Sequence, residues 1–190
     1  MQWTKTMTYK IWRSRLASLA LGLSFLAASF ASAEPSATYN TKRIAEFAVG
    51  IFCKDKEKVR ESSGADTIKG TIERYDATPL LGEETQTVPA IERILFGVLA
   101  REKSENGTVV IKVTHPPLGA GGVTTESWET SMSPNEQTMH AYYLGLSDGN
   151  PVGRWTITGT SGAIRLFYAE FDVVPADSGT IDPCTLKPIS

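Results

Sequence analysis

From residue 45 onward apolar side chains recur at every second position, and that period constrains the fold more than any other feature of the chain. Ala45, Phe47, Val49 and Ile51 fall on one side of an extended segment, and Cys53 continues the phase. Ile94, Phe96, Val98 and Ala100 repeat the pattern, as do Val109, Ile111 and Val113, and then Tyr142, Leu144 and Leu146. Successive side chains of a strand point to opposite faces, so each run can bury one face of a sheet. An amphipathic helix needs apolar residues three and four apart, and no long stretch after residue 34 supplies them.

Turn chemistry separates the runs. Lys103 to Gly107 lies between the second and third, and Asn-Gly tolerates the positive φ of a tight reversal, so residues 94–113 are expected to form a β-hairpin. Asn106-Gly107-Thr108 also spells a glycosylation sequon, but the turn already accounts for it. Pro116-Pro117 has no backbone donors to continue a ladder and is expected to end its strand. Further strands are expected at 123–130, 138–146 and 155–158, the last opening a hairpin reversed at 159–162. In the final strand, 163–174, Ile164, Leu166 and Tyr168 lie on even positions, Phe171 and Val173 on odd ones. Either both faces are buried or a bulge near Ala169-Glu170 switches the phase. Residues 54–90 are polar and read as an irregular surface excursion, with one short strand at Thr71 to Tyr75 and a helical turn around Asp55 to Glu61. About seven short strands with Pro/Gly turns predict an all-β chain, an antiparallel β-sandwich of the immunoglobulin-like type. One such domain fills residues 34–190.

The first 33 residues have a different grammar. Lys5, Lys10, Arg13 and Arg15 precede an apolar stretch from Leu16 to Phe30, and Ala31-Ser32-Ala33 then gives a small-x-small cleavage motif. That order is a secretory signal peptide, removed on export. The product is expected to be periplasmic or secreted, with no membrane anchor after processing. Loss of these four basic residues changes the formal charge from −2 to −6, 15 basic against 21 acidic, which offers no electrostatic footprint for nucleic acid. Both cysteines, Cys53 and Cys184, lie in the exported part, and an even count in an oxidising compartment reads as one disulfide.

Val113-Thr114-His115-Pro116-Pro117, Gly153-Arg154-Trp155 and Phe171-Asp172-Val173-Val174 occur in an order and spacing that resembles a bacterial family catalogued as domain of unknown function 3859, over about residues 92–174. The resemblance implies a small sandwich domain in an exported bacterial protein and implies no activity.

Residues that could carry chemistry are few. His115, between a strand end and two prolines, could bind a ligand or cap the strand end by hydrogen bonding; His140 reads as a packed or edge histidine. Two histidines 25 residues apart do not make a zinc site by spacing, so no metal or cofactor is expected. Glu83-Glu84 and Glu126/Glu129 could form an acid–base pair for glycoside cleavage, but read more simply as solvated carboxylates. Asp148 and Asn150 fall short of a calcium loop. Trp155 precedes an alternating strand and is expected in the core, whereas Trp128 follows a glycine-rich loop and is the better exposed candidate for stacking on a sugar. The function expected is a non-enzymatic module holding an envelope protein partner by loops or a strand edge. The alternative is a small-ligand or glycan binder using Trp128 and the 118–127 loop, and the third reading is an envelope-polymer hydrolase. Processing after Ala33 is checked by intact-mass analysis of the exported protein, which should begin at Glu34; a product retaining residues 16–30 would contradict it.

Overall fold

A strand that buries one face needs a second layer to cover it, and the chain meets this need with two antiparallel sheets laid face to face. The computed structural model describes residues 33–53, 59–63, 66–75, 79–105, 107–185 and 187–188. The expected signal peptide up to Ser32, residues 55–58 of the expected helical turn, and Asn106 of the expected hairpin turn lie outside these residues.

Two strands open the described chain, β1 (Ala37–Tyr39) and β2 (Ile44–Cys53). Four short ones follow, β3 (Val59–Ser63), β4 (Thr71–Tyr75), β5 (Leu80–Glu83) and β6 (Thr87–Pro89). The longer strands are β7 (Leu95–Glu102), β8 (Thr108–Leu118), β9 (Val123–Ser131), β10 (Thr138–Tyr143), β11 (Gly153–Ser161) and β12 (Ile164–Val174). A small tail ladder joins β13 (Ile181–Asp182) to β14 (Lys187–Pro188). One sheet runs β1-β12-β11-β8-β9, with β6 parallel to the far end of β12; the other runs β10-β7-β2-β5. β3 and β4 pair only with each other. The expected antiparallel β-sandwich is therefore present, with more and shorter strands than seven.

Between the sheets, Val49, Ile51, Phe96 and Val98 meet Ile111, Val113, Trp155, Ile157 and Phe171, all buried. Phe96 lies edge-on to Trp155 at 5.5 Å and to Phe171 at 5.2 Å, an arrangement that aromatic quadrupoles favour. Trp155 is in the core, as expected. Phe52, Leu95 and Leu99 form a second, smaller cluster on the opposite side of their sheet.

The expected hairpin at 94–113 is not one. β7 pairs with β2 and β10, β8 with β9 and β11, so residues 103–107 carry the chain from one sheet to the other. The inward faces of β7 and β8 bury each other only when the strands are stacked, and turn residues alone do not say whether a reversal stays in its sheet. Ala45 is exposed because a register shift between Ile44 and Glu46 gives the core position to Ile44. Pro116 and Pro117 lie within β8, not beyond it: the ladder with β9 is interrupted between Thr114 and Leu118, where missing donors cost nothing. In β12 the phase switches at Leu166, opposite the shift between Gly159 and Thr160, earlier than the expected Ala169-Glu170. Gly159 lies directly beneath the Phe167 ring, where any Cβ would collide.

The expected irregular excursion at 54–90 contains β3 to β6, of which β4 is the strand expected at Thr71 to Tyr75, and Val59 to Glu61, expected in a helical turn, lie in β3. Val88 of β6 is fully buried. Leu146, expected in a strand, is exposed in a 3-10 turn at Leu146–Asp148.

Cys53 and Cys184 form the expected disulfide, with Cα atoms 5.2 Å apart across 131 residues. It fastens the end of β2 to the C-terminal tail. Replacing both cysteines by serine should lower unfolding free energy by about 2–4 kcal/mol while far-UV circular dichroism stays that of a β protein. Urea denaturation checks this, and an unchanged midpoint would contradict it.

Candidate functional site: the flank between the two sheets

β9 and β10 are edge strands of different sheets, and the sandwich is open between them. Inward-facing residues near this flank include four that are polar or aromatic: His115 on β8, Glu126 on β9, Tyr142 on β10 and Trp155 on β11. Glu126 stands opposite Val113, at a position where the alternation calls for an apolar residue. It is 3 % exposed, so its charge needs partners.

Three segments supply them. Tyr142 Oη donates to Glu126 Oε1 at 2.8 Å, the Ile68 backbone N–H donates to Oε2 at 2.8 Å, and His115 Nε2 faces Oε1 at 3.1 Å. His115 Nδ1 lies 2.7 Å from the Pro116 carbonyl, which can only accept. The imidazole also stacks on Trp155 at 4.7 Å. Burial by itself raises the Glu126 carboxyl; the hydrogen bonds from His115, Ile68 and Tyr142 and the charge of His115 outweigh it and hold the group below 4.5. Burial and the Glu126 charge push the Tyr142 phenol upward.

The segment carrying Ile68 closes part of the flank. Ser127 N–H donates to the Asp66 carbonyl at 3.0 Å, Ile68 packs against the core, and Lys69 Nζ sits 5.4 Å over the Tyr143 ring. Beside it remains a cavity of about 570 Å³. Trp128, Met132, Met139, Tyr142 and Tyr143 give it an aromatic and thioether lining, while Thr71, Ile72 and Glu73 form another part of its wall.

The candidates named from sequence fall differently from expectation. His115 is not at a strand end: it is buried within β8, although its hydrogen bond to backbone is of the kind expected. His140 is packed, stacked on Phe167 at 5.5 Å, and burial lowers it to about 4. Glu126 is not solvated, and Glu129, three residues along the same strand, faces the other way, so the two cannot converge on one substrate. Asn150 Oδ1 already accepts the Val152 N–H at 3.1 Å. Trp128 is half-buried and lines the cavity, but residues 118–122 are not among the lining residues. Among the described residues no group of three or more His, Cys, Asp or Glu could hold a metal ion. Tyr142 and the Ile68 N–H were missed as functional partners. The signal for Tyr142 was present, since Glu126 shares the phase of Trp128 and Tyr142 lies in phase on its own strand. No sequence pattern announces the Ile68 N–H.

Fold and site thus define a two-sheet antiparallel sandwich with a buried polar cluster beside an open flank lined by aromatics. The model of the family described as domain of unknown function (DUF3859) matches residues 41–173, and the chain belongs to that family. The match reaches back beyond the 92–174 resemblance to include β2 to β6, and takes in Cys53 but not Cys184. A crystal structure of an immunoglobulin-like protein from Pseudomonas aeruginosa is similar at 15% identity and a TM-score of 0.48, covering 75% of this chain and 100% of that one. No curated protein matches the chain.

Two buried groups give the fold a pH dependence. His140 is lowered from 6.5 to about 4, so its contribution is complete above pH 6.5 and is lost as pH falls toward 4. Glu126, held below 4.5, contributes above that value and loses its contribution as pH falls further. Unfolding free energies from urea titrations should therefore decline from pH 6.5 to 4, by on the order of 3 kcal/mol at most from the histidine, and the midpoints with them. His140→Leu should flatten that decline, and a wild-type midpoint constant over the range would refute the assignment.

Proposed function

We propose that residues 34–190 form one exported, non-catalytic binding module that holds a protein partner at the flank between β9 and β10. The observation that carries this reading is a division of labour among side chains. Both histidines and Glu126 are buried, His115 away from the cavity and Glu126 and His140 in its wall, whereas Trp128, Met139 and Tyr143 line the cavity partly exposed. A general acid or base must reach the substrate atom it serves, directly or through one water, and the one imidazole that faces a carboxylate, His115, is not among the residues that line the cavity. Aromatic and Met side chains are the usual anchors of protein recognition. Export is supported by the order of features in residues 1–33 and by the Cys53–Cys184 bridge, which suits an oxidising compartment such as the periplasm. Among the described residues no helix is long and apolar enough to cross a membrane.

Trp128 also favours a second reading, a glycan or small-ligand site, because a half-buried indole beside a cavity can stack on a sugar face. The two are separated by capture from native envelope extract and by tryptophan fluorescence titration with envelope glycans. Under the leading reading Trp128→Ala weakens capture of the protein partner by about tenfold or more, and glycans leave the fluorescence unchanged. Turnover of an envelope polymer that disappears on changing one carboxylate, with the fold intact, would falsify the binding reading.

A further inference from the structure

The edge of β10 carries information about what the flank holds. β10 reads Thr138-Met139-His140-Ala141-Tyr142-Tyr143, with no charged residue, no proline and no glycine. It pairs with β7 alone, in an unbroken register from Thr138 to Tyr143. Its other side therefore presents a regular row of main-chain groups with no strand neighbour among the described residues. Exposed edges of this kind invite another chain, and proteins ordinarily guard them with charges, proline, bulges or short length.

The other edges of this sandwich are guarded. β9 carries Glu126 and Glu129 and is bridged by Asp66 at Ser127. β5 has four residues, ends in Glu83, and meets β2 across a register shift. β1 and β6, three residues each, share one side of β12. Among the described residues β10 is the one edge strand that is flat and neutral, and the cavity runs along it. The cavity touches both faces of the strand, at His140 and Tyr142 on the inner side and at Met139, Ala141 and Tyr143 on the outer. At its rim Glu73 and Glu136 are exposed carboxylates, and Lys69 is the single Lys or Arg among the described lining residues.

We infer that the flank binds an extended, basic peptide segment of another protein, which adds as a further strand to β10. This rests on the binding-module reading above and specifies its partner. Main-chain hydrogen bonds to β10 give affinity. Alternate side chains of the guest fall toward Trp128 and Tyr142 or toward Met139 and Tyr143, and its Lys or Arg residues meet Glu73 and Glu136. Six residues of β10 present an edge of about 20 Å, enough for a guest of similar length.

The test begins with a phage-displayed random decapeptide library selected on the oxidised mature chain. Apolar residues alternating with Lys or Arg should be enriched. A selected peptide is then made in two N-methylated forms, one blocked at odd amides and one at even amides. An added strand bonds through one set only, so one form should lose affinity by about tenfold or more and the other by about twofold or less. Glu73→Gln combined with Glu136→Gln should weaken binding and reduce its salt dependence. Failure to select any peptide, enrichment of acidic peptides, or equal binding of the two methylated forms would each overturn the inference. An envelope protein captured through Trp128 while both methylated forms bind alike would leave the binding module standing and remove strand addition alone. Envelope glycans that bind through Trp128 while no peptide does would remove both.

Discussion

A single buried carboxylate organises the open side of this protein. Glu126 accepts hydrogen bonds from Tyr142 and Ile68 and faces His115, and so ties β8, β9, β10 and the 66–70 segment to one point. Removing it would leave a phenol and a backbone N–H without their acceptor in a largely buried site, each a cost of about 1–3 kcal/mol. The sandwich needs such a tie here because β9 and β10 belong to different sheets and share no ladder. Apolar packing holds the middle of the sandwich, and the polar cluster fixes the spacing at the rim.

That tie also shapes the cavity. Tyr142 and Trp128 line it from opposite sheets, and the hydrogen bond from Tyr142 to Glu126 sets how far apart those sheets stand. The 66–70 segment, held by Ile68 and Asp66, bridges β9 through Ser127 and reaches β10 only through Lys69, over the Tyr143 ring, among the described residues. The guarded edge and the open edge are thus consequences of one arrangement. At the other edge of the β10 sheet, the disulfide fastens the tail beside β5, where Cys53 pairs with Leu80.

Much of the architecture was legible in the sequence because alternation is a local property. The strands at 95–102, 108–118, 123–131 and 164–174 fall close to where the period of two placed them. The misreadings have a common cause. Ala45 and Leu166 fit or broke the pattern according to bulges, which insert one residue without changing composition. Strands β3, β5 and β6 are short and polar or interrupted, so none carries enough alternating apolar residues to show a period, and they exist because a longer neighbour or a paired hairpin supplies their hydrogen bonds.

Composition and order alone determined the all-β class, the acidic charge of residues 34–190, the disulfide partners and the core position of Trp155. These follow from local periodicity, from composition, or from having only two cysteines to pair. Tertiary structure decided that β7 and β8 lie in opposite sheets, that Glu126 is buried while Glu129 is not, and that His115 is enclosed and not available. It also left β10 as the unguarded edge. Each of those depends on which strands stack and which pair, a choice made by burying whole faces against one another, and no residue carries that information by itself.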